Sequence, residues 1–153
     1  MVSRAVIDDF LGRRRLAVVG VSRSPKDFTR VLFREFAKRG YDVVPVNPKV
    51  DEVEGRRCYG RMEDIQPPVE GALVMTRAEV SEGVVRDCAA AGVTRVWLYR
   101  AMGKGAVSPE AVTFCREHGI AVAQGCPLMF FPKAGFPHGL HGWLLKLAGS
   151  YPK

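Results

Sequence analysis

The segment of residues 20–30 carries the side chains best suited to hold a phosphate group. Its basic residues are Arg23, Lys26 and Arg30, its hydroxyl residues are Ser22, Ser24 and Thr29, and it opens with Gly20-Val21. Glycine allows close backbone approach, and guanidinium, ammonium and hydroxyl groups donate hydrogen bonds to phosphate oxygens. The segment lies between an apolar run and a helical pattern, where free amides and the positive helix end attract anions. We therefore predict an anion-binding loop, the alternative being a polar loop with a serine helix cap.

A second polar group, Asn47-Pro48-Lys49, follows the next apolar run and bears on which anion would bind. The first loop has neither a Walker A motif nor the full three-glycine fingerprint. An NAD site usually has an acidic residue at the end of the second strand to hold the ribose hydroxyls. Here Asn47 can bond a ribose or base, and Lys49 favours an additional phosphate. The pattern favours NADP or coenzyme A (CoA), which both carry a phosphate on the adenosine ribose.

Groups that could catalyse a reaction are harder to find. The histidines, His118, His138 and His141, have no evident catalytic partner. The four cysteines lack a Cys-x-x-Cys pair, which argues against a zinc ribbon and favours reduced thiols and a cytoplasmic location. Cys126 follows the last predicted strand, where it would either meet the CoA thiol or serve as a structural thiol before a proline. Whether the protein is an enzyme stays open, and absence of catalysis is the favoured interpretation.

The elements that must position these residues alternate regularly along the chain. Short apolar runs, each followed or preceded by a helical pattern, occur at residues 16–19, 41–46, 71–75, 94–98 and 120–123. We predict a three-layer, Rossmann-like α/β fold with a parallel sheet of about five strands and helices on both faces. Ligands of such sheets bind at the carboxyl ends of the strands. This rule adds Thr76, Arg77 and Arg100 to the candidate site.

Length and composition predict one domain with an added tail. At 153 residues and 47% hydrophobic content the chain can form one core, assigned to residues 1–126. Residues 127–153 are predicted to form an aromatic extension with a short amphipathic helix packed on the same domain. Its aromatic residues Phe130, Phe131, Phe136 and Trp143 suit either core packing or homo-oligomerisation.

Charge and hydropathy limit the kinds of binding partner that we expect. The net charge of +7 is spread along the chain, so a small phosphate-bearing ligand is favoured and nucleic acid is not. The chain has neither a signal-peptide pattern at its start nor an apolar stretch long enough for a bilayer, so no membrane contact is expected.

Several motifs together resemble the small bacterial and archaeal CoA-binding protein family. They are AVVGVS at 17–22, Thr29-Arg30, GYDVVPVNP at 40–48, Glu54-Gly55 with Cys58-Tyr59, Thr76-Arg77, Trp97-Leu98 and Cys126-Pro127. The resemblance covers most of residues 12–128. It implies the nucleotide-binding fold of the succinyl-CoA synthetase alpha subunit, with residues 20–30 and Asn47-Pro48 on the nucleotide portion. It also implies that Thr76-Arg77 and the segment near Arg100 line the site.

The favoured hypothesis is a non-catalytic protein that binds CoA or acyl-CoA as a sensor, carrier or accessory subunit. One alternative is an NADP-binding oxidoreductase-like enzyme or a CoA-dependent transferase that uses the same edge of the sheet. Another is an oligomeric interaction protein with regulatory nucleotide binding. The loop at 99–108 is longer than is common in the family, and the aromatic tail is an addition. The part of the site that would hold the pantetheine arm of CoA is therefore expected to differ from that of the family.

Overall fold

Short runs rich in valine, leucine and alanine form a central parallel sheet. The structure is a computed structural model, and it describes residues 3–131. The strands are β1 (Arg15–Val19), β2 (Asp42–Val46), β3 (Glu52–Val53), β4 (Arg56–Arg57), β5 (Gly71–Val74), β6 (Arg95–Tyr99) and β7 (Ala121–Gly125). Five of them form one parallel sheet in the order β2-β1-β5-β6-β7. The predicted fold class is confirmed.

Four α-helices occur within residues 3–131. The first, α1 (Arg4–Leu11), precedes β1, and the other three follow strands: α2 (Phe28–Lys38), α3 (Ala78–Ala90) and α4 (Pro109–Glu117). Side-chain caps begin three of them. Ser3 accepts a hydrogen bond from the amide of Val6, Asp27 from that of Thr29, and Ser108 from that of Ala111. Each cap satisfies an amide that would otherwise lack a partner. Ser108 with a proline at the first helical position is the helix start expected from the sequence.

The two faces of the sheet carry separate layers of apolar side chains. Helices α1 and α2 cover the face of Leu16, Val18 and Trp97, whereas α3 and α4 cover the face of Ala17, Val19 and Leu98. A 3₁₀ helix, Pro127–Phe130, follows β7 and joins the α1–α2 layer.

The aromatic residues at the end of the described chain pack on that same layer. The Phe130 ring lies 5.6 Å from the Trp97 ring, and the Phe131 ring lies 5.3 Å from that of Phe36, between centroids. The predicted helix at 138–147 and the residues Phe136 and Trp143 lie outside the described residues.

The order of the strands creates a crevice at one edge of the sheet. From β1 the chain crosses to β2 on one side, and it then returns to β5 on the other side of β1. The connections leaving β1 and β5 lie on opposite faces, so the carboxyl ends of these strands are left uncovered between them.

The antiparallel hairpin β3–β4 between β2 and β5 was not predicted. Its turn contains Glu54 and Gly55, with φ of 51° and 75°. An isolated bridge between Val46 and Tyr59 ties the chain after the hairpin to the end of β2. Within residues 3–131, no helix has the length and apolar content needed to cross a bilayer.

Candidate functional site

A cavity of about 600 Å³ opens at the carboxyl ends of β1, β2 and β5. Its apolar lining consists of Val19, Val46, Met62, Met75, Val80 and Val84. Its polar and basic lining includes Asn47, Lys49, Arg61, Thr76 and Arg77. The volume lies in the range of ordinary small-molecule sites, and the apolar floor with a polar rim is typical of them.

Gly20 lets β1 end directly against the end of β5. Its φ is 91°, and a Cβ at this position would lie 3.1 Å from both the carbonyl carbon of Met75 and the amide nitrogen of Thr76. The Gly20 amide donates to the carbonyl oxygen of Val46 at 3.0 Å. A residue without a side chain is therefore required where these three strands converge on the cavity.

The loop after Gly20 is held by hydrogen bonds among its own residues. The Thr29 hydroxyl donates to Asp27 at 2.7 Å and accepts from the Ser22 amide at 2.8 Å. The Ser22 hydroxyl accepts from the Ser24 amide at 3.0 Å. Asp27, rather than a serine, caps α2, and the hydrogen bond from the Thr29 hydroxyl lowers the pKa of its carboxyl. Val21 is fully buried beneath the loop.

Arg30 lies behind the loop instead of facing the cavity. Its side chain is only 9% exposed, and Nη1 donates to the carbonyl oxygens of Ser22 and Arg23, each at 3.2 Å. Its Nε donates to Glu54 at 3.0 Å, and this guanidinium holds the pKa of the Glu54 carboxyl below its usual value. The geometry gives Arg30 the task of supporting the loop.

Asn47 joins the two loops that were predicted to bind the ligand. Its Nδ2 donates to the carbonyl oxygen of Val21 at 2.9 Å, and its Oδ1 accepts from the Lys49 amide at 2.9 Å. Both polar atoms of the side chain are engaged in this way. Pro48 and Lys49 line the cavity, and the Lys49 side chain is exposed at its rim.

The third side of the cavity comes from the start of α3. The Thr76 hydroxyl lies 3.2 Å from that of Ser81, which donates to the carbonyl oxygen of Arg77 at 3.1 Å. These bonds fix the first turn of the helix. Arg77 is its N-cap residue and is exposed at the rim.

Positive charge at the carboxyl edge of the sheet is largely uncompensated. Arg23, Lys26, Lys49, Arg77, Arg100 and Lys104 are exposed, and none of them forms an ion pair with another residue of the described chain. At the amino edge, by contrast, Arg15 pairs with Asp42 and Arg95 with Asp9, each at 2.7 Å. The cavity edge is therefore the one that attracts an anion.

Eight of the fourteen predicted residues do not line the cavity, and Arg100 and Cys126 are two of them. Arg100 is exposed beyond β6, and its amide donates to the carbonyl oxygen of Gly125. Cys126 is fully buried next to Tyr99, and burial raises the pKa of its thiol. The cavity thus brings together part of the predicted set: Gly20, Asn47, Pro48, Lys49, Thr76 and Arg77. Arg23 and Lys26 are exposed on the loop that begins at Gly20.

Sequence reasoning missed Arg61 and Met62, which line the cavity next to Lys49. They follow Gly60, just after the bridge that returns the chain to the end of β2. The Cys58-Tyr59 motif was the available signal, since it lies directly before this stretch.

A doubly wound parallel sheet with an apolar cavity and basic rim at its switch point defines a Rossmann-like α/β protein with a candidate site for an anionic small molecule. Residues 14–132 match the CoA binding domain family, and the chain belongs to this family. The resemblance seen in the motifs is therefore confirmed.

Known proteins similar to this chain include one that it matches over most of that protein's length and one that is much longer. The uncharacterized protein YneT of Bacillus subtilis is 30% identical over 121 residues, which is 78% of this chain and 87% of that protein. The acetate–CoA ligase (ADP-forming) II alpha subunit of Pyrococcus furiosus is 28% identical over 92 residues, 60% of this chain but 20% of that subunit. A solved structure of a hypothetical protein from Pyrococcus horikoshii OT3 superposes with a TM-score of 0.74 at 25% identity, covering 82% of this chain and 86% of that one. These matches support CoA as the ligand and lend no support to NADP.

Proposed function

We propose that the protein binds CoA or an acyl-CoA in the carboxyl-edge cavity and performs no chemistry on it. The observation that carries this proposal is the pairing of an apolar cavity with unpaired cations at its rim. CoA has an adenine ring to place against apolar side chains, and a diphosphate and a ribose phosphate to place against Lys49, Arg77 and the loop cations.

The side chains around the cavity support binding without catalysis. Asp87 is the one carboxylate in the lining, and within residues 3–131 no histidine or cysteine contributes to it. His118 lies at the end of α4, where its Nδ1 is 2.9 Å from the carbonyl oxygen of Phe114 and its ring stacks on the Phe114 ring. General acid–base catalysis needs a titratable group within hydrogen-bond reach of the reacting atoms. His118 is engaged elsewhere.

The thiols support the same proposal. Cys58, Cys88, Cys115 and Cys126 are all buried, and burial raises the pKa of each thiol. A nucleophilic cysteine needs a thiolate and access to substrate. The role that we propose for the chain is that of a CoA sensor, carrier or accessory subunit.

Isothermal titration calorimetry tests the ligand. CoA and acetyl-CoA should bind saturably with similar affinity, while NAD should not bind. Saturable binding of NADP with none of CoA would overturn the proposal. Acetyl-CoA incubated with the protein should remain intact by liquid chromatography, and its loss beyond that in buffer would contradict the non-catalytic part.

A further inference from the structure

The tip of the β3–β4 hairpin reaches the back of the loop that begins at Gly20. Glu54 lies at this tip, and its carboxylate pairs with Arg30 and, at 3.4 Å, with Arg34, both from α2. Its backbone adopts φ of 51°, which is uncommon for a residue with a side chain. The hairpin therefore holds an acidic group in a specific position against two arginines.

Each of these arginines also holds the loop. Arg30 donates to the carbonyl oxygens of Ser22 and Arg23, and Arg34 donates to that of Pro25 at 3.2 Å. A cation that binds a carbonyl oxygen orients the peptide around it, so three peptides of the loop are oriented from behind. Glu54 is the common partner that keeps both cations there.

This orientation matters for an anionic ligand. A carbonyl oxygen carries partial negative charge and would repel a phosphate, whereas an amide N–H or an exposed cation attracts it. Drawing the carbonyl oxygens of the loop toward Arg30 and Arg34 turns their negative ends away from a ligand. Because Arg30 and Arg34 bind these carbonyl oxygens, the side chains of Arg23 and Lys26 are not needed for that purpose. Both stay exposed and form no ion pair within the described chain.

We infer that Glu54 is a positioning residue for CoA binding, acting through Arg30 and Arg34 on the loop although it does not line the cavity. The inference rests on the proposed function. It makes the hairpin, an element outside the doubly wound core, part of the binding apparatus.

The test compares Glu54→Gln with Glu52→Gln. Glu52 lies in the same hairpin, is exposed, and forms no ion pair within residues 3–131, so its variant makes the same charge change without touching the arginines. Measured by calorimetry, CoA affinity should fall about fivefold in Glu54→Gln, as expected when the partly buried ion pair with Arg30 and the more exposed one with Arg34 are lost. Affinity should stay unchanged in Glu52→Gln. Equal affinity in the two variants, or tighter binding in Glu54→Gln, would overturn the inference.

Two further measurements separate positioning from general stability. In an Arg30→Gln background, Glu54→Gln should have a much smaller effect on affinity, because residues that act through one another are not additive. Hydrogen exchange of the ligand-free protein should show faster exchange of loop amides at 22–26 in Glu54→Gln, while the core strands are unchanged. If the wild type binds no CoA, the proposed function fails, and unchanged loop exchange would separately refute the action of Glu54 on the loop.

Discussion

Replacing Gly20 by alanine is the sharpest perturbation that the structure offers. At φ of 91°, a residue with a side chain is strained by about 1–3 kcal/mol. The added Cβ would also lie 3.1 Å from atoms of the peptide between Met75 and Thr76, which cannot move without displacing the end of β5. Such overpacking costs about 1–3 kcal/mol. Together these two costs predict a loss of about 2–6 kcal/mol in the free energy of unfolding.

The matched control is Gly83→Ala in α3. Gly83 is exposed, and a Cβ there would meet nothing within 4 Å, so alanine should stabilise the helix by about 0.5–1 kcal/mol. Urea unfolding followed by circular dichroism gives both values. Gly20→Ala should also weaken CoA binding, because the peptides that line the cavity must separate. Equal stability of the two variants, or a Gly20→Ala variant within about 0.5 kcal/mol of wild type, would refute the reasoning.

Further predictions concern charge, pH and thiols. Lys49→Ala and Arg77→Ala should each weaken CoA binding about five- to tenfold by calorimetry while changing the unfolding free energy by less than about 0.5 kcal/mol, since both side chains are exposed and unpaired among the described residues. Unchanged affinity in both would count against phosphate at the rim. Arginine partners lower the pKa of Glu54 and Asp42 in the folded protein, so the stability from these pairs should be complete above the ordinary carboxyl pKa values, 4.5 for Glu54 and 3.8 for Asp42. It should fall as pH drops through the lowered values. Stability that rises on acidification from pH 5 to pH 3 would contradict this. Burial raises the pKa of the Cys88 thiol to about 12, so a thiol reagent at pH 8 should label this residue only as the protein unfolds. Mass spectrometry after brief labelling measures this, and rapid labelling of Cys88 in the native protein would contradict the prediction.

The strands and helices were predictable because their signals are local. An apolar run such as that of β1 needs burial on both faces, and a serine before Pro109 can satisfy amides of its own helix. Boundaries shifted by one or two residues. The β3–β4 hairpin was missed because strands of two residues, Glu52–Val53 and Arg56–Arg57, leave no periodic pattern to detect.

The sequence directed the search to the carboxyl edge of the sheet, where the cavity lies, but only some of the predicted residues line that cavity. The rule for parallel sheets directed attention to Gly20, Asn47 and Thr76, and the structure brings these residues together at the cavity. Arg30 looked like a ligand contact in the sequence, but it pairs with Glu54, 24 residues away. The sequence alone does not distinguish an arginine that binds phosphate from one that pairs with a carboxylate. The difference depends on whether folding brings a carboxylate close to the guanidinium.

The sequence by itself determined the alternation of strands and helices, the basic and hydroxyl residues available in the loop at 20–30, and membership of the CoA-binding family. Only the tertiary structure decided which cations stay available for a ligand. Lys49 and Arg77 remain exposed at the rim, whereas Arg30 is drawn behind the loop by Glu54. The physical reason is that hydrogen bonds and ion pairs form only within about 3–4 Å. The packing of elements distant in sequence decides which side chains come within that distance, and local residue preferences do not.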